Sequence, residues 1–377
     1  MSNAMVTDPA AGECHPAPVA GATDPWLHWF EPARSGDEAT LQAWCATVGP
    51  PVFVEVPAGS VGGGPTRRVR LATWNTHGGS GELVRFIGDQ LGLACTETGP
   101  TPVAPDFVPF VLLIQEAFRA SDRVPAVEPG PTVPNRLVER PHEGPRLDIV
   151  EVARRCGLAL LYVPSMRNGY EEVDGKREDR GNAILSTLHL TDPIAIELPF
   201  EAQRRVAVGA TVHTGDSLRV VSLHLDTSSS LLRTLGTGNS TRLRQGLGTV
   251  EALALAERIR DVRILAAGES PEEPSEVRPE TDDCDAARVQ QHPISTVLAG
   301  DLNTWSDGQT VIQHLLCYFP GSPPPDGQST RGPFPADHIF FRVGGPAHME
   351  IAPGSYRQIE DSYNSDHRAR VVSLAVQ

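Results

Sequence analysis

Thr296-Val-Leu-Ala-Gly-Asp-Leu-Asn303 is a run of apolar β-formers that stops abruptly in acid and amide side chains. Four other stretches share the design: Val69-Arg-Leu-Ala-Thr-Trp-Asn75, Phe110-Val-Leu-Leu-Ile-Gln-Glu116, Leu218-Arg-Val-Val-Ser-Leu-His-Leu-Asp226, and Ser365-Asp-His367 leading into Arg-Ala-Arg-Val-Val-Ser-Leu374. Buried strands alternate or stay apolar, so a polar strand end marks a rim where backbone pairing stops and chemistry begins. Hard oxygen donors and two histidines brought to such a rim point to a metal-assisted phosphoester site.

Around these stretches, from Arg67 onward, strands alternate with helical patterns at Glu82 to Leu93, Leu147 to Cys156 and Leu243 to Arg260. Strand patterns at Leu185 to Leu190, Ala195 to Leu198, Ala207 to His213 and Leu218 to Leu225 come in near succession, with Thr214-Gly-Asp216 as a hairpin turn. Strand so often follows strand that a simple doubly wound sheet is excluded, and the order predicts two sheets packed face to face with helices outside. No short-period repeat is present.

The flanks read differently. Met1 to Ala4, ahead of the second methionine Met5, read as an expression-tag remnant, and residues 5–66 as an N-terminal extension and linker. That extension carries a helix over Asp37 to Thr47, a strand over Val52 to Val56, and a Gly/Pro-rich run from Pro57 to Pro65. Gly62-Gly-Gly64 has neither the spacing nor the following helix of a phosphate cradle. The main domain is expected at 67–377, interrupted by an acidic, disordered insertion at 269–291. Pro164 to Arg180 reads as a long polar loop at the rim, either selecting substrate or simply solvated.

Composition narrows the function. The chain has 377 residues, 40% of them hydrophobic, ample for a sizeable core. A formal charge of -15 disfavours duplex nucleic acid as a partner, because long phosphate backbones reward surplus Lys and Arg. No stretch approaches the roughly 20 apolar residues of a membrane span. Nothing after Met5 resembles a signal peptide, which makes the cytoplasm the default expectation. The six cysteines lie far apart without a Cys-x-x-Cys pair, so they read as buried or incidental thiols, with neither a zinc site nor a disulfide framework. Oligomeric state is not readable.

Trp74-Asn75, Gln115-Glu116, Gly181-Asn182, His224, Gly300-Asp-Leu-Asn303, Asp337-His338 and Ser365-Asp-His367, taken in order, resemble the endonuclease/exonuclease/phosphatase superfamily over roughly residues 67–377. The resemblance implies a DNase I-like fold, a four-layer α/β/β/α sandwich of two packed mixed sheets flanked by helices. It implies a Mg²⁺- or Mn²⁺-dependent phosphoester hydrolase, with Glu116, Asn75 and Asp366 around the metal. Asp301 would orient or deprotonate water, His367 would assist it with Asp337 as partner, and Asn303, His224 and Asn182 would surround the phosphate. His338, adjacent to Asp337 on the opposite strand face, is the rival candidate, and reads more readily as a half-buried strand histidine. Asp301 and Asn303, two apart on an extended segment, would face the same way, unless the tetrapeptide is an ordinary turn. Arg205, Arg242 and Gln245 are secondary candidates, and Asp226 either tunes His224 or caps a loop. Phosphodiester cleavage is expected ahead of phosphomonoester cleavage. The alternatives are an inositol-phosphate or lipid phosphatase, a sphingomyelinase-like phosphodiesterase, and a non-catalytic scaffold of the same fold.

Overall fold

A computed structural model describes residues 26–31, 38–57, 66–97, 99–126, 146–168, 176–200, 203–227, 237–266, 292–345 and 349–376. The acidic insertion, the tag remnant and Gly62 to Gly64 lie outside these residues. The strands are β1 (His28–Phe30), β2 (Val52–Val54), β3 (Arg68–Asn75), β4 (Leu93–Thr96), β5 (Gly99–Pro102), β6 (Phe110–Ser121), β7 (Ala159–Arg167) and β8 (Arg177–Ser186). They continue with β9 (Leu190–Leu198), β10 (Arg205–His213), β11 (Ser217–His224), β12 (Ser295–Asp301), β13 (Asp337–Arg342), β14 (Met349–Ile351), β15 (Arg357–Gln358) and β16 (Arg370–Val376).

β6 shows why two sheets form. Its apolar run is buried on both faces. Val111 and Leu113 point into a core shared with Val208, Val220 and Val297 of the second sheet. Phe110, Leu112 and Ile114 point outward, onto a core closed by the helix Ile149–Arg155 and by the helical turn Leu83–Phe86 that continues as a π-helix over Ile87–Leu91. A strand sandwiched in this way needs apolar side chains at every position, which explains the lack of alternation in the sequence. The second sheet packs its outer face on the helices Thr237–Ala266 and Thr310–Tyr318 through Leu253, Ile312 and Leu315. The result is the four-layer α/β/β/α sandwich of the DNase I-like fold.

One sheet runs β1-β9-β10-β11-β12-β13; the other runs β14-β16-β3-β6-β8-β7-β2, with β15 against β16. Both are mixed, since β3 is parallel to β6 and β11 to β12 while their other neighbours are antiparallel. Gln115 ties the sheets together, its buried amide donating to Ser222 Oγ at 2.9 Å while Ser222 Oγ donates to the Ile114 carbonyl at 3.0 Å. Gly300 lets β12 approach β11, because a Cβ there would sit 1.7 Å from the Leu223 carbonyl oxygen.

The segment upstream of residue 66 is not merely an appendage. β1 adds to the edge of one sheet beside β9, and β2 to the edge of the other beside β7. The expected polar loop is also corrected in its described part. Pro164 to Arg167 belong to β7, and Arg177 to Arg180 to β8. Their charges are carried into the sheet by pairing: Arg119 with Asp179, Arg146 with Glu178 at 2.7 Å, and Arg180 with Glu116 at 3.1 Å. Buried ionic groups persist only when paired this way.

The cysteines are a second correction. Cys95 and Cys156 form a disulfide that ties β4 to the end of the helix Ile149–Arg155, across 61 residues of sequence. Cys45 and Cys317 are disulfide-bonded as well, and no described cysteine is free. Spacing along the chain gave no hint, because the fold alone decides which residues meet. No described helix is long and apolar enough to cross a membrane.

Candidate active site

The polar strand ends gather at one rim of the two sheets. Asp301, the last residue of β12, stands opposite His224 on β11 and Asp337 on β13. It is fully buried, and one of its oxygens is a meeting point. Asn75 Nδ2 donates to Asp301 Oδ2 at 2.9 Å, while His224 Nε2 and His367 Nε2 lie 3.4 and 3.6 Å from the same atom. Burial raises the Asp301 pKa, with Asp337 adding to it, and His367, Arg331 and Asn75 pull it back, leaving it at about 6.

His367 is held from three sides. Its Nδ1 lies 2.7 Å from Asp337 Oδ2, its backbone N–H donates to Ser365 Oγ at 3.1 Å, and its carbonyl accepts from Trp74 Nε1 at 3.2 Å. Burial opposes its charge, but Asp337 and Asp301 outweigh burial and raise its pKa to about 9. Burial likewise opposes ionisation of Asp337, yet His367 holds it below the usual carboxylate range. The imidazolium therefore gives Nδ1–H to Asp337 and turns Nε2–H toward Asp301 and toward Asp366, whose Oδ1 is 3.8 Å away.

His224 has the opposite character. Burial and then Arg205 push its pKa well below the ordinary imidazole value, so it is neutral. Arg205 NH1 lies 3.1 Å from its Nδ1, and a guanidinium can only donate. Nδ1 is thus the acceptor, and the ring proton sits on Nε2, facing Asp301.

Glu116 leaves the regular ladder. Its φ is +53° at a bulge between Ile114 and Ala117 in the pairing of β6 with β8, an irregularity that re-aims a side chain. Burial alone would raise its pKa; Arg180, Arg205, His77 and His367 outweigh that and hold it at about 2. Asn75 Oδ1 accepts from the His77 backbone N–H at 2.9 Å, and Asp366, partly exposed, lies 3.2 Å from Arg331 Nε and 3.8 Å from His77 Nδ1. Asn182 lines a small cavity with Glu116, Arg180, Arg205 and His224, and its Nδ2 donates to the Val206 carbonyl at 2.7 Å.

The expectation that Asp301 and Asn303 share one face of an extended segment does not hold. Asn303 lies beyond the end of β12 with φ +52°, and its backbone N–H donates to Asp301 Oδ1 at 2.7 Å, an Asx turn. Its Nδ2 donates to the Leu225 carbonyl at 2.9 Å and its Oδ1 accepts from Arg331 NH1 at 3.3 Å. His338 stays out of this cluster. Its Nε2 is 2.8 Å from the Pro335 carbonyl and 3.0 Å from Thr304 Oγ1, and burial lowers its pKa to about 4.

Among the secondary candidates, Gln245 is structural, accepting from the Asp226 N–H at 2.8 Å and donating to the Pro199 carbonyl at 2.6 Å. Arg242 is buried with no hydrogen bond to any guanidinium nitrogen among the described residues, and burial lowers its pKa against the pull of Asp226 and Asp301. Arg331 and Arg180 escaped the sequence reading. Arg331 sits in a turn, Thr-Arg-Gly-Pro, that advertises nothing, and only the fold sets it beside Asp366.

Asp301, Asp337 and His367 offer ligand atoms within 4.8 Å of one another, close enough to hold an ion. The charged state of His367 argues for acid–base use instead, because an imidazolium keeps a proton on both ring nitrogens and has no lone pair for a metal.

No curated protein matches the chain significantly. Among solved structures, it is similar to an endonuclease/exonuclease/phosphatase from Beutenbergia cavernae DSM 12333, at 18% identity over 82% of this chain and 72% of that one, with a TM-score of 0.41. It is similar to the human Nocturnin catalytic domain at 15% identity, over 83% and 96% of the two chains, TM-score 0.45. Sphingomyelinase C from Streptomyces griseocarneus is 13% identical over 82% of this chain and 99% of its own, TM-score 0.39. The family model described as Endonuclease/Exonuclease/phosphatase family matches residues 72–356, most of the sequence and nearly every strand that builds the rim. By that match the chain belongs to the endonuclease/exonuclease/phosphatase family.

Proposed function

We propose that the chain is a divalent-metal-dependent phosphoester hydrolase that favours phosphodiesters over phosphomonoesters. The observation that carries this reading is the convergence of Asn75, His224 and His367 on Asp301 Oδ2, with Asp337 behind His367. Asp301 is the base that takes a proton from water. His367, charged at neutral pH, points Nε2–H to where charge builds on the phosphoryl group, and neutral His224 offers Nε2–H beside it. Asn303, with its side chain engaged by Leu225 and Arg331, fixes Asp301 through its backbone N–H. Asn182 shapes the cavity wall between Glu116 and His224.

Glu116, Asn75 and Asp366 would hold Mg²⁺ or Mn²⁺. The donor set fits: Glu116 is kept ionised by its cationic neighbours, and all three offer the hard oxygens these ions take. When bound, such an ion neutralises charge on the phosphoryl and leaving oxygens. The carboxylates of Glu116, Asp301, Asp337 and Asp366 offset much of the charge of His367, Arg180, Arg205 and Arg331. A monoanionic diester suits that balance better than a dianionic monoester. The disulfides favour an oxidising compartment over the cytoplasmic default.

Bis-p-nitrophenyl phosphate with Mg²⁺ or Mn²⁺ tests the reading directly: turnover is expected and chelation should abolish it. Absence of turnover on this and on a panel of phosphodiesters and monoesters would remove the hydrolase assignment. Glu116→Gln is expected to raise the metal concentration for half-maximal activity by ~10-fold or more, as loss of a charged ligand should; an unchanged requirement strikes Glu116 from the ligand set.

The two perturbed groups also set a pH profile. Asp301 must be ionised to act as base, so kcat/KM rises as pH passes its elevated pKa of about 6. His367 must be protonated, so kcat/KM falls as pH passes about 9. The expected bell is displaced upward on both limbs from ordinary carboxylate and imidazole values. A rate that goes on rising as pH passes about 9, with no falling limb, would mean that His367 works as the neutral base instead.

A further inference from the structure

Trp305 and Phe334 are large apolar side chains left 37% and 36% exposed, and their rings lie 5.1 Å apart between centroids at 50° between planes. Their position makes that exposure informative. Trp305 follows Asn303 by two residues. Phe334 caps a turn whose backbone is closed by the Phe334 N–H to the Arg331 carbonyl at 2.9 Å and by the Arg331 N–H to the Phe334 carbonyl at 3.1 Å. The same Arg331 backbone bridges that of His367. Thr304 Oγ1 donates to the Pro335 carbonyl at 2.6 Å, which pins the two ring-bearing segments to each other. Arg331 reaches from this junction to Asp366 Oδ2 at 3.2 Å and Asn303 Oδ1 at 3.3 Å, and its side chain is 43% exposed.

A cation at the edge of the reaction centre, with a rigidly held aromatic pair beside it, one ring of which is on the same turn, matches a ligand that joins a phosphate to a flat ring. We propose that Trp305 and Phe334 form a nucleobase subsite and that Arg331 takes the phosphate joining that base to the cleaved ester, making small nucleotide phosphoesters the substrate class. The proposal rests on the hydrolase reading for its chemistry, but the subsite binds whether or not turnover occurs. A bilayer surface fits less well. Among the described residues the exposed apolar area here is two rings, and the other exposed large hydrophobics, Val103, Leu255 and Val343, are single aliphatic residues on other segments. A long polynucleotide is disfavoured by the charge of -15. Stacking is tolerant of base identity because every base presents a π-face, so the subsite separates nucleotides from other phosphoesters without ranking the bases.

Titration with AMP, with inorganic phosphate and with phosphatidylcholine vesicles, followed by calorimetry, tests binding alone. AMP should bind wild type more tightly than inorganic phosphate does. Trp305→Ala and Phe334→Ala should each weaken AMP binding by ~10-fold or more, and Trp305→Phe should restore most of it. Kinetics supply the second arm. In Trp305→Ala the ratio of kcat/KM for a dinucleotide to that for glycerophosphocholine should fall by ~10-fold, chiefly through the KM of the dinucleotide. Equal losses on both substrates, AMP no tighter than inorganic phosphate, or a response to vesicles alone would each overturn the subsite. If AMP binds as expected while no phosphoester is turned over, the hydrolase reading fails and the subsite stands.

Discussion

His367→Ala is expected to lose ~10²-fold or more in kcat, within the range for removing a positioned acid or base. Its imidazolium faces both the buried Asp301 and the partly open Asp366, at 3.6 and 3.8 Å from Nε2. Truncation would remove the donor aimed at the phosphoryl group and would withdraw the charge that helps keep Asp301 ionised near neutrality. It would also strand Asp337, a fully buried carboxylate whose Oδ2 lies 2.7 Å from His367 Nδ1. Breaking one side of such a pair costs ~3–5 kcal/mol, so the variant must be assayed beside its own melting curve. His367→Asn offers a control, since its amide can still donate toward Asp337 while placing nothing at the Nε2 position. Asp301→Ala should lose activity on a comparable scale, and the double variant should be scarcely worse than either single one, because the two act as a unit. Wild-type kcat in a folded His367→Asn or Asp301→Ala variant removes both residues from the chemistry.

The fold was legible where burial is symmetrical and the site where polarity interrupts it. The unbroken apolar run of β6 is a strand with a core on each face, and Glu116 marks the place where the ladder breaks in a bulge. The same rule hid β8. Arg177-Glu-Asp-Arg180 looks like solvent-exposed loop until Arg119, Arg146 and Glu116 are seen to neutralise its charges from neighbouring elements. Side-chain direction was harder still. Two-residue spacing sets Asp301 and Asn303 on one face only if the backbone stays extended, and a φ of +52° at Asn303 ends that. Arg331 and the aromatic pair beside it depend on a tertiary meeting of two turns, which no local pattern records. The strand read over Val52 to Val56 is found as β2, whereas β1 was out of reach, because a three-residue edge strand carries almost no periodicity.

Removing the disulfide between Cys95 and Cys156 is expected to cost about 4 kcal/mol, the loop-closure entropy restored to an unfolded chain freed of a crosslink across some sixty residues. The sulfurs lie in the outer core, Cys156 fully buried and Cys95 nearly so, among Leu93, Val152 and Ala153. Paired substitution by alanine therefore removes the crosslink while exposing no polar group, and the measured change reads the covalent constraint with only a small packing loss. The two residues anchor β4 and the helix Ile149–Arg155 against the outer face of the sheet that carries Asn75 and Glu116, well away from Asp301. Stability should fall while kcat per folded molecule stays near wild type. Denaturant midpoints of wild type with and without dithiothreitol, beside the double-alanine variant, make the comparison. If reduction leaves the wild-type midpoint where it was, Cys95 and Cys156 are thiols in solution, and the case for an oxidising compartment falls with them. If reduction lowers it to that of the variant, or further as the bonds at Cys45 and Cys317 open too, the protein depends on bonds that a reducing cytosol would not maintain. Its phosphoester would then have to be met where thiols are oxidised.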